Sequence, residues 1–267
     1  MYKSHRLAST GEPIYDDPER GGMTTVAVLA DPPRPGVALS RLVKSTPLSE
    51  AETAELYATL LKDTVLAVDR SGGDLLVNYR SADALGIDGD PEAELREIVS
   101  DVVDPGPVRF EVQVGETLAG RAGNTATHLL ETEGVGSVGI ARPEAALLAR
   151  TDIDSAAMKL RSSPVVLGPA PGGRIGYAAF AEPIDFADCY APPAVETLTT
   201  RALDAGLDVD FTETKPYLET AADLADVIVA VRTRRRAEAI VPPHLASWVE
   251  STDLVVEALD GGLTIER

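Results

Sequence analysis

Five arginines near predicted strand–helix junctions are the side chains of this sequence best suited to binding an anion. They are Arg34, Arg41, Arg121, Arg142 and Arg174. Guanidinium groups hold phosphate or carboxylate oxygens in pairs and need no metal ion to do so. We therefore expect these side chains to converge on one edge of a sheet and to form an anion site. The plainer alternative is that each arginine lies on the surface and pairs with one of the many acidic residues nearby.

The elements that must position these arginines follow from hydrophobic periodicity. From Met23 onward, short apolar runs alternate with helical patterns, which is typical of an α/β fold with a mostly parallel sheet and helices on both faces. The carboxyl ends of parallel strands form the edge where such sheets bind ligands. The predicted strands are residues 26–30, 74–79, 108–113, 136–140, 164–167, 175–180 and 207–211. A first predicted helix starts with a capping box of Ser49 and Glu52. The other predicted helices are residues 91–99, 116–133, 194–205 and 220–231.

Fragments at the ends of these elements resemble a known family. The loop after the first strand reads P-G-V-A-L-S-R-L, and Gln113, Gly115, Leu118 and Arg121 follow the third strand. Residues 139–143 read G-I-A-R-P, residues 168–174 read G-P-A-P-G-G-R, and residues 217–224 read Y-L-E-T-A-A-D-L. Together they resemble glycosyltransferase-like proteins of poorly defined function that are related to the 2-phospho-L-lactate guanylyltransferases. The resemblance spans about residues 23–231 and implies a GT-A-like fold of the nucleotide-diphospho-sugar transferase type.

The resemblance also implies which residues hold the ligand. In the loop after the first strand they are Gly36, Ser40 and Arg41, and after the third strand Gln113, Gly115 and Arg121. The later loop adds Gly172 and Gly173, which are turn glycines first. With Arg34, Arg142 and Arg174 these residues form the predicted phosphate site, and Glu219 and Asp223 are the expected acidic contacts.

Several positions depart from the family pattern. The family's lysine is replaced by Leu39, and three of its acidic positions are replaced by Ala141, Pro171 and Tyr217. A hard divalent cation needs oxygen ligands, so Glu219 alone would hold Mg²⁺ weakly at best. We expect no metal site and a weakened or lost metal-dependent catalysis. The alternative is a shifted alignment, in which another carboxylate supplies the metal: Asp31, Asp152 or Asp154.

These observations favour a transferase-like protein that binds a nucleotide, a nucleotide-sugar or a related phosphorylated ligand. If the protein is active, the reaction is glycosyl or nucleotidyl transfer, with no catalytic residue assigned. The alternative is a non-catalytic interaction or assembly protein that keeps only the scaffold.

Composition excludes some classes of partner. The 267 residues carry a formal charge of −19, which argues against binding to nucleic acid or to anionic membranes. Only 5 of the 24 cationic residues are lysine, a surface typical of proteins in molar salt, although an ordinary acidic protein is the alternative. One cysteine, Cys189, excludes an internal disulfide. No apolar run reaches membrane-spanning length, so we expect a cytoplasmic protein.

The chain divides into three predicted segments. Residues 1–22 show no hydrophobic period and are interpreted as a disordered leader or a mis-assigned start. Residues 23–231 form the transferase-like domain. Residues 232–267 are a C-terminal extension packed on that domain, with a short helix around Trp248 and a hairpin turning at Asp260-Gly261. The exposed edge of the hairpin could pair with a second copy and give a homodimer.

Overall fold

The computed structural model describes residues 24–259 and 261–267, so the interpretation of residues 1–22 concerns residues outside this part of the chain. Its strands are β1 Thr24–Ala30, β2 Asp74–Tyr79, β3 Arg109–Val112, β4 Ser137–Ala141, β5 Val165–Ala170, β6 Arg174–Phe180, β7 Val209–Phe211, β8 Val255–Leu259 and β9 Gly262–Glu266. Its α-helices are α1 Ser40–Val43, α2 Glu50–Asp69, α3 Ala82–Leu85, α4 Pro91–Ser100, α5 Leu118–Thr127, α6 Arg150–Lys159, α7 Ala194–Asp204, α8 Ala221–Arg236 and α9 Pro243–Ser251.

Seven strands form one sheet in the order β3-β2-β1-β4-β6-β5-β7. All neighbouring pairs are parallel except β4–β6 and β6–β5, because β6 runs in the opposite direction. The carboxyl ends of six strands therefore lie at the same edge as the start of β6. The predicted α/β fold with a mostly parallel sheet is confirmed.

Strand β1 lies at the centre of the sheet because its sequence, TTVAVLA, has no side chain that requires water. Every residue of β1 is buried, as expected for a parallel strand covered on both faces. Val26 and Val28 pack toward α2, α4 and α6, whereas Ala27 and Leu29 pack toward α5 and α7. Helices therefore cover both faces, as predicted.

Helix α2 begins as its sequence predicts. The Ser49 hydroxyl accepts a hydrogen bond from the Glu52 N–H at 3.2 Å, and the Glu52 carboxylate accepts one from the Ser49 N–H at 2.8 Å. The boundaries of other elements differ. The predicted helix 116–133 begins at Leu118, after the Thr117 cap, and its last part is a π-helical turn, His128–Glu133. Helix α8 extends beyond the predicted residue 231, because no proline or glycine follows until residue 242.

The C-terminal segment packs on the helices of the main sheet. Leu245 and Trp248 of α9 and Ile265 of β9 share a buried cluster with Leu60 of α2 and Ile228 of α8. Among the described residues, no helix combines the length and the apolar character needed to cross a bilayer.

Candidate functional site

An ion pair lies at the ends of the two neighbouring parallel strands β1 and β2. Asp31 follows β1 and Arg80 follows β2, and the register Ala30–Tyr79 places them side by side. The Arg80 Nε and Nη2 donate to the two Asp31 oxygens at 2.6 and 2.5 Å, and the Asp31 N–H donates to the Tyr57 hydroxyl at 3.0 Å. This fork-shaped pair fixes both side chains at the edge.

Arg121 lies beside this pair in the first turn of α5. Its Nη1 donates to the Glu116 carbonyl at 2.9 Å, while its buried Nε has no partner within the described residues. Burial lowers the pKa of Arg121, and the charge of Arg80 and more weakly that of Arg142 add to this, whereas Asp31 opposes it. The guanidinium is therefore an under-compensated cation, and a bound anion would relieve it.

Arg142 follows β4 and completes a group of three arginines. Its Nη2 donates to Glu144 Oε1 at 2.5 Å, and its guanidinium lies 5.6 Å from the ring centroid of Tyr217. Burial alone would lower the pKa of Arg142, but the charges and hydrogen bond of Glu144 outweigh it and raise that pKa. The other oxygen of Glu144, Oε2, is buried and has no partner within the described residues. We name Arg80, Arg121 and Arg142 the arginine group.

A second set of charges also lies next to Tyr217. Arg174, at the start of β6, donates to both Asp223 oxygens at 2.9 and 2.7 Å and to Glu219 at 3.2 Å. Arg41 donates to the other Glu219 oxygen at 2.5 Å. Burial opposes ionisation of Asp223, but the hydrogen bonds from Arg174 outweigh it and lower the pKa. The guanidinium of Arg174 lies 5.2 Å from the ring centroid of Tyr217, so this ring is close to a cation of each set.

The remaining predicted residues have structural contacts of their own. Arg34 donates to Glu94 of α4 and joins neither set, because that carboxylate and the Asp88 carbonyl already engage it. The side-chain amide of Gln113 donates to the Asn78 carbonyl at 2.6 Å and so ties the ends of the strands.

Turn geometry accounts for the glycines, and Ser40 is simply exposed at the start of α1. The glycines adopt left-handed backbone at Gly36 (φ 77°), Gly115 (φ 129°), Gly172 (φ 73°) and Gly173 (φ 71°).

The predicted convergence of five arginines thus takes a different form. Two of them, Arg121 and Arg142, meet at the edge, and Arg41 and Arg174 form the second set. Arg34 follows the plainer alternative, because it pairs with a nearby carboxylate. The arginines of the second set pair with carboxylates in the same way. Arg80 was missed by the sequence reasoning, although its place directly after a predicted strand was a usable signal.

Comparison with solved structures shows which fold this is. The chain is similar to the crystal structure of a protein assigned as a nucleotide-diphospho-sugar transferase from Desulfovibrio desulfuricans G20, with a TM-score of 0.66 and 18% identity over 87% of this chain and 96% of that one. The fold is that of the nucleotide-diphospho-sugar transferases. A second similar structure is 4-diphosphocytidyl-2C-methyl-D-erythritol synthase from Anaerococcus prevotii DSM 20548, with a TM-score of 0.51 and 13% identity over 79% of this chain and 97% of that one. No protein-family model and no curated protein matches the sequence.

The carboxylates at the edge of this transferase fold do not suit a divalent cation. Each of these carboxylates already forms an ion pair with an arginine. The four are Asp31, Glu144, Glu219 and Asp223. Within residues 24–259 and 261–267, no group of three or more acidic, histidine or cysteine side chains is arranged to hold a metal.

The alternative ligands, Asp152 and Asp154, lie on α6 instead. Asp152 accepts from the Ala149 N–H at 2.9 Å and pairs with Lys215 at 3.0 Å, while Asp154 pairs with Arg150. The residues present therefore do not fit a Mg²⁺ site at the edge.

Proposed function

We propose that this protein binds a nucleotide, a nucleotide-sugar or a related phosphorylated ligand at the carboxyl edge of β1, β2 and β4, through the arginine group and without a metal ion. The observation that carries the proposal is Arg121, a half-buried cation whose Nε has no partner among the described residues and whose neighbours include two more arginines. Phosphate oxygens supply the paired acceptors that guanidinium groups prefer.

The charge balance of the site supports an anionic ligand. Three guanidinium groups face two carboxylates, Asp31 and Glu144, so the edge keeps a local excess of positive charge in a chain whose net charge is −19. A bound phosphate group would attract each arginine and so offset the repulsion among them, and partial burial strengthens that attraction.

The fold supports the class of ligand. The two similar structures carry names that refer to nucleotide-diphospho-sugars and to a diphosphocytidyl compound. Ligands of open α/β sheets bind outside the carboxyl ends of the strands, and the arginine group lies there. Transfer chemistry in this protein would rely on arginines to neutralise a leaving phosphate, and we propose that metal-dependent catalysis is weakened or lost.

A thermal-shift titration tests the proposal. UDP, GDP, CTP and nucleotide-sugars would each be added in molar KCl, with and without Mg²⁺. A ligand at one hundred times its Kd adds about 2.7 kcal/mol to the free energy of unfolding, which raises Tm by roughly 5–10 °C. We expect at least one nucleotide to give this shift without Mg²⁺.

The variant Arg121→Gln separates binding from folding. It removes charge-assisted hydrogen bonds worth about 1.5–3 kcal/mol, so binding should weaken at least about tenfold. The unliganded variant should change little in stability, because relief of the repulsion from Arg80 and Arg142 offsets the lost hydrogen bond to the Glu116 carbonyl. Arg161→Gln, at an exposed arginine after α6, is the matched control and should bind normally.

Two outcomes would overturn the proposal. A shift that requires Mg²⁺ would mean that a metal site exists and that the arginine group does not replace it. No shift with any nucleotide would favour the alternative, an interaction or assembly protein that keeps only the transferase scaffold.

A further inference from the structure

A second cleft lies away from the arginine group, on the face of the sheet covered by α2 and α6. It is bounded by the second half of α2, the segment 147–151 that leads into α6, and the segment 240–243 between α8 and α9. Its volume is about 530 Å³. Sites for small molecules commonly measure roughly 300–1,000 Å³, so the cleft is large enough for one.

The walls of the cleft are apolar. Leu66 and Ala67 line it from α2, and Leu147 and Leu148 line it from the other side. Ile240, which also lines the cleft, is 95% exposed, the most exposed large apolar side chain among the described residues. An apolar ligand in the cleft would remove this side chain from water.

Charged side chains also line the cleft. Four cations line it, namely Arg70, Arg150, Lys215 and Arg234, against one carboxylate, Asp63. The two Asp63 oxygens are occupied, because they accept hydrogen bonds from the His244 and Leu245 N–H groups. Acids outside the lining neutralise two of the four cations, so the positive charge open to an anion is that of the other two.

Two of these cations are available for a ligand. Arg150 pairs with Asp154 and Lys215 pairs with Asp152. Arg70 and Arg234 form no ion pair within the part of the chain that the structure describes, and both are exposed. An incoming anion would therefore gain charge-assisted hydrogen bonds there without breaking existing pairs.

We propose that this cleft binds a small amphipathic anion, with a single alkyl chain against Leu66, Ala67 and Leu148 and a phosphate or carboxylate head at the rim that carries Arg70 and Arg234. The site is separate from the arginine group and does not depend on the function proposed there. An alkyl chain accounts for the apolar walls, and a charged head accounts for the unpaired cations.

Isothermal titration calorimetry with monodecyl phosphate, below its micelle concentration, tests the proposal. We expect one molecule to bind per chain, and each methylene removed from the chain to weaken binding by up to about fourfold. Decanoate in place of decyl phosphate distinguishes a carboxylate from a phosphate head. Inorganic phosphate alone should bind at least tenfold more weakly, because it cannot use the apolar walls.

Substitutions at exposed positions test the binding site without disturbing the folded core. Arg70→Gln and Arg234→Gln should each weaken the binding of decyl phosphate at least threefold, and Ile240→Ser should do the same through the alkyl chain. Arg236→Gln, in the last turn of α8 but outside the cleft, is the matched control and should leave the affinity unchanged.

Three results would overturn the proposal. They are no binding of either decyl compound, several molecules bound per chain, or the same loss of affinity in Arg236→Gln as in Arg70→Gln and Arg234→Gln. Inorganic phosphate binding as tightly as decyl phosphate would also overturn it, since the apolar walls would then contribute nothing.

Discussion

Replacing Asp63 by alanine should detach α9 from α2. Asp63 is buried in α2, and its two oxygens accept hydrogen bonds from the His244 N–H at 3.0 Å and the Leu245 N–H at 2.7 Å. These N–H groups belong to the first turn of α9, where the helix itself offers no acceptor, and Pro242 provides no side-chain cap. Asp63 thus caps a helix that is 181 residues further along the chain.

The size of the effect follows from these two contacts. A hydrogen bond to a charged group contributes about 1.5–3 kcal/mol, and loss of a helix cap costs about 0.5–2 kcal/mol. Burial of Asp63, which raises its pKa despite the two N–H donors, offsets part of the gain. We therefore expect Asp63→Ala to lower the free energy of unfolding by about 3 kcal/mol and Tm by roughly 6–12 °C.

Urea and thermal unfolding monitored by circular dichroism measure this change, and fluorescence of the single tryptophan, Trp248 in α9, reports on the docking of that helix. Glu55→Ala is the control, since Glu55 is an exposed acid on the same helix. It should change the free energy of unfolding by less than about 0.5 kcal/mol. If Asp63→Ala lost no more stability than Glu55→Ala, the cap would not hold α9 in place.

Three further measurements test other contacts. Gly139→Ala should lower the free energy of unfolding in urea by about 1–3 kcal/mol, because the added Cβ would clash with the buried Tyr177 hydroxyl. Tyr177→Phe should be neutral or stabilising, since that hydroxyl has no hydrogen-bond partner in the part of the chain that the structure describes. It should also reduce the cost of Gly139→Ala, and additive effects of the two substitutions would refute the clash. The pKa of Glu52, lowered to about 2 chiefly by the Ser49 N–H, should return toward 4.5 in Ser49→Pro, measured by carbon NMR titration. Because the folded pKa of Glu52 is depressed, the stability that Glu52 confers is present above pH 4.5 and is lost as the pH falls toward 2. If the free energy of unfolding of the wild type and of Ser49→Pro changed equally over this range, the expectation would be wrong. Finally, Tm should rise between 0.1 and 2 M KCl as salt screens a net charge of −19, whereas a constant Tm would speak against adaptation to high salt.

The fold could be predicted because its signals are local. An uninterrupted apolar run specifies β1, and the serine–glutamate spacing specifies the start of α2. The turn signal near Gly261 predicts the antiparallel pair β8–β9, which the structure contains. The π-helical turn after α5 could not be predicted, because its sequence, HLLETE, has no proline or glycine that would mark a change within the predicted helix.

The site was only partly predictable because its pairs join distant segments. Asp31 and Arg80 are 49 residues apart and meet only through the register of β1 and β2. Arg34 is engaged by Glu94, 60 residues away, for the same kind of reason. Residue types could nominate arginines for an anion site, but only the positions of helices and strands decide which carboxylate reaches which arginine.

The burial of Ala141 makes the order of mutations important for anyone who redesigns this edge. Ala141 is the last residue of β4, is fully buried and packs in the same cluster as Tyr177, its neighbour on β6. Introducing a carboxylate there first would place a charge in a tightly packed apolar cluster, at a cost that a marginally stable protein cannot easily bear. Smaller side chains therefore have to be introduced around the position before the acid is. In evolution or in the laboratory, a metal-binding edge can be reached in that order, whereas the reverse order passes through a strongly destabilised protein.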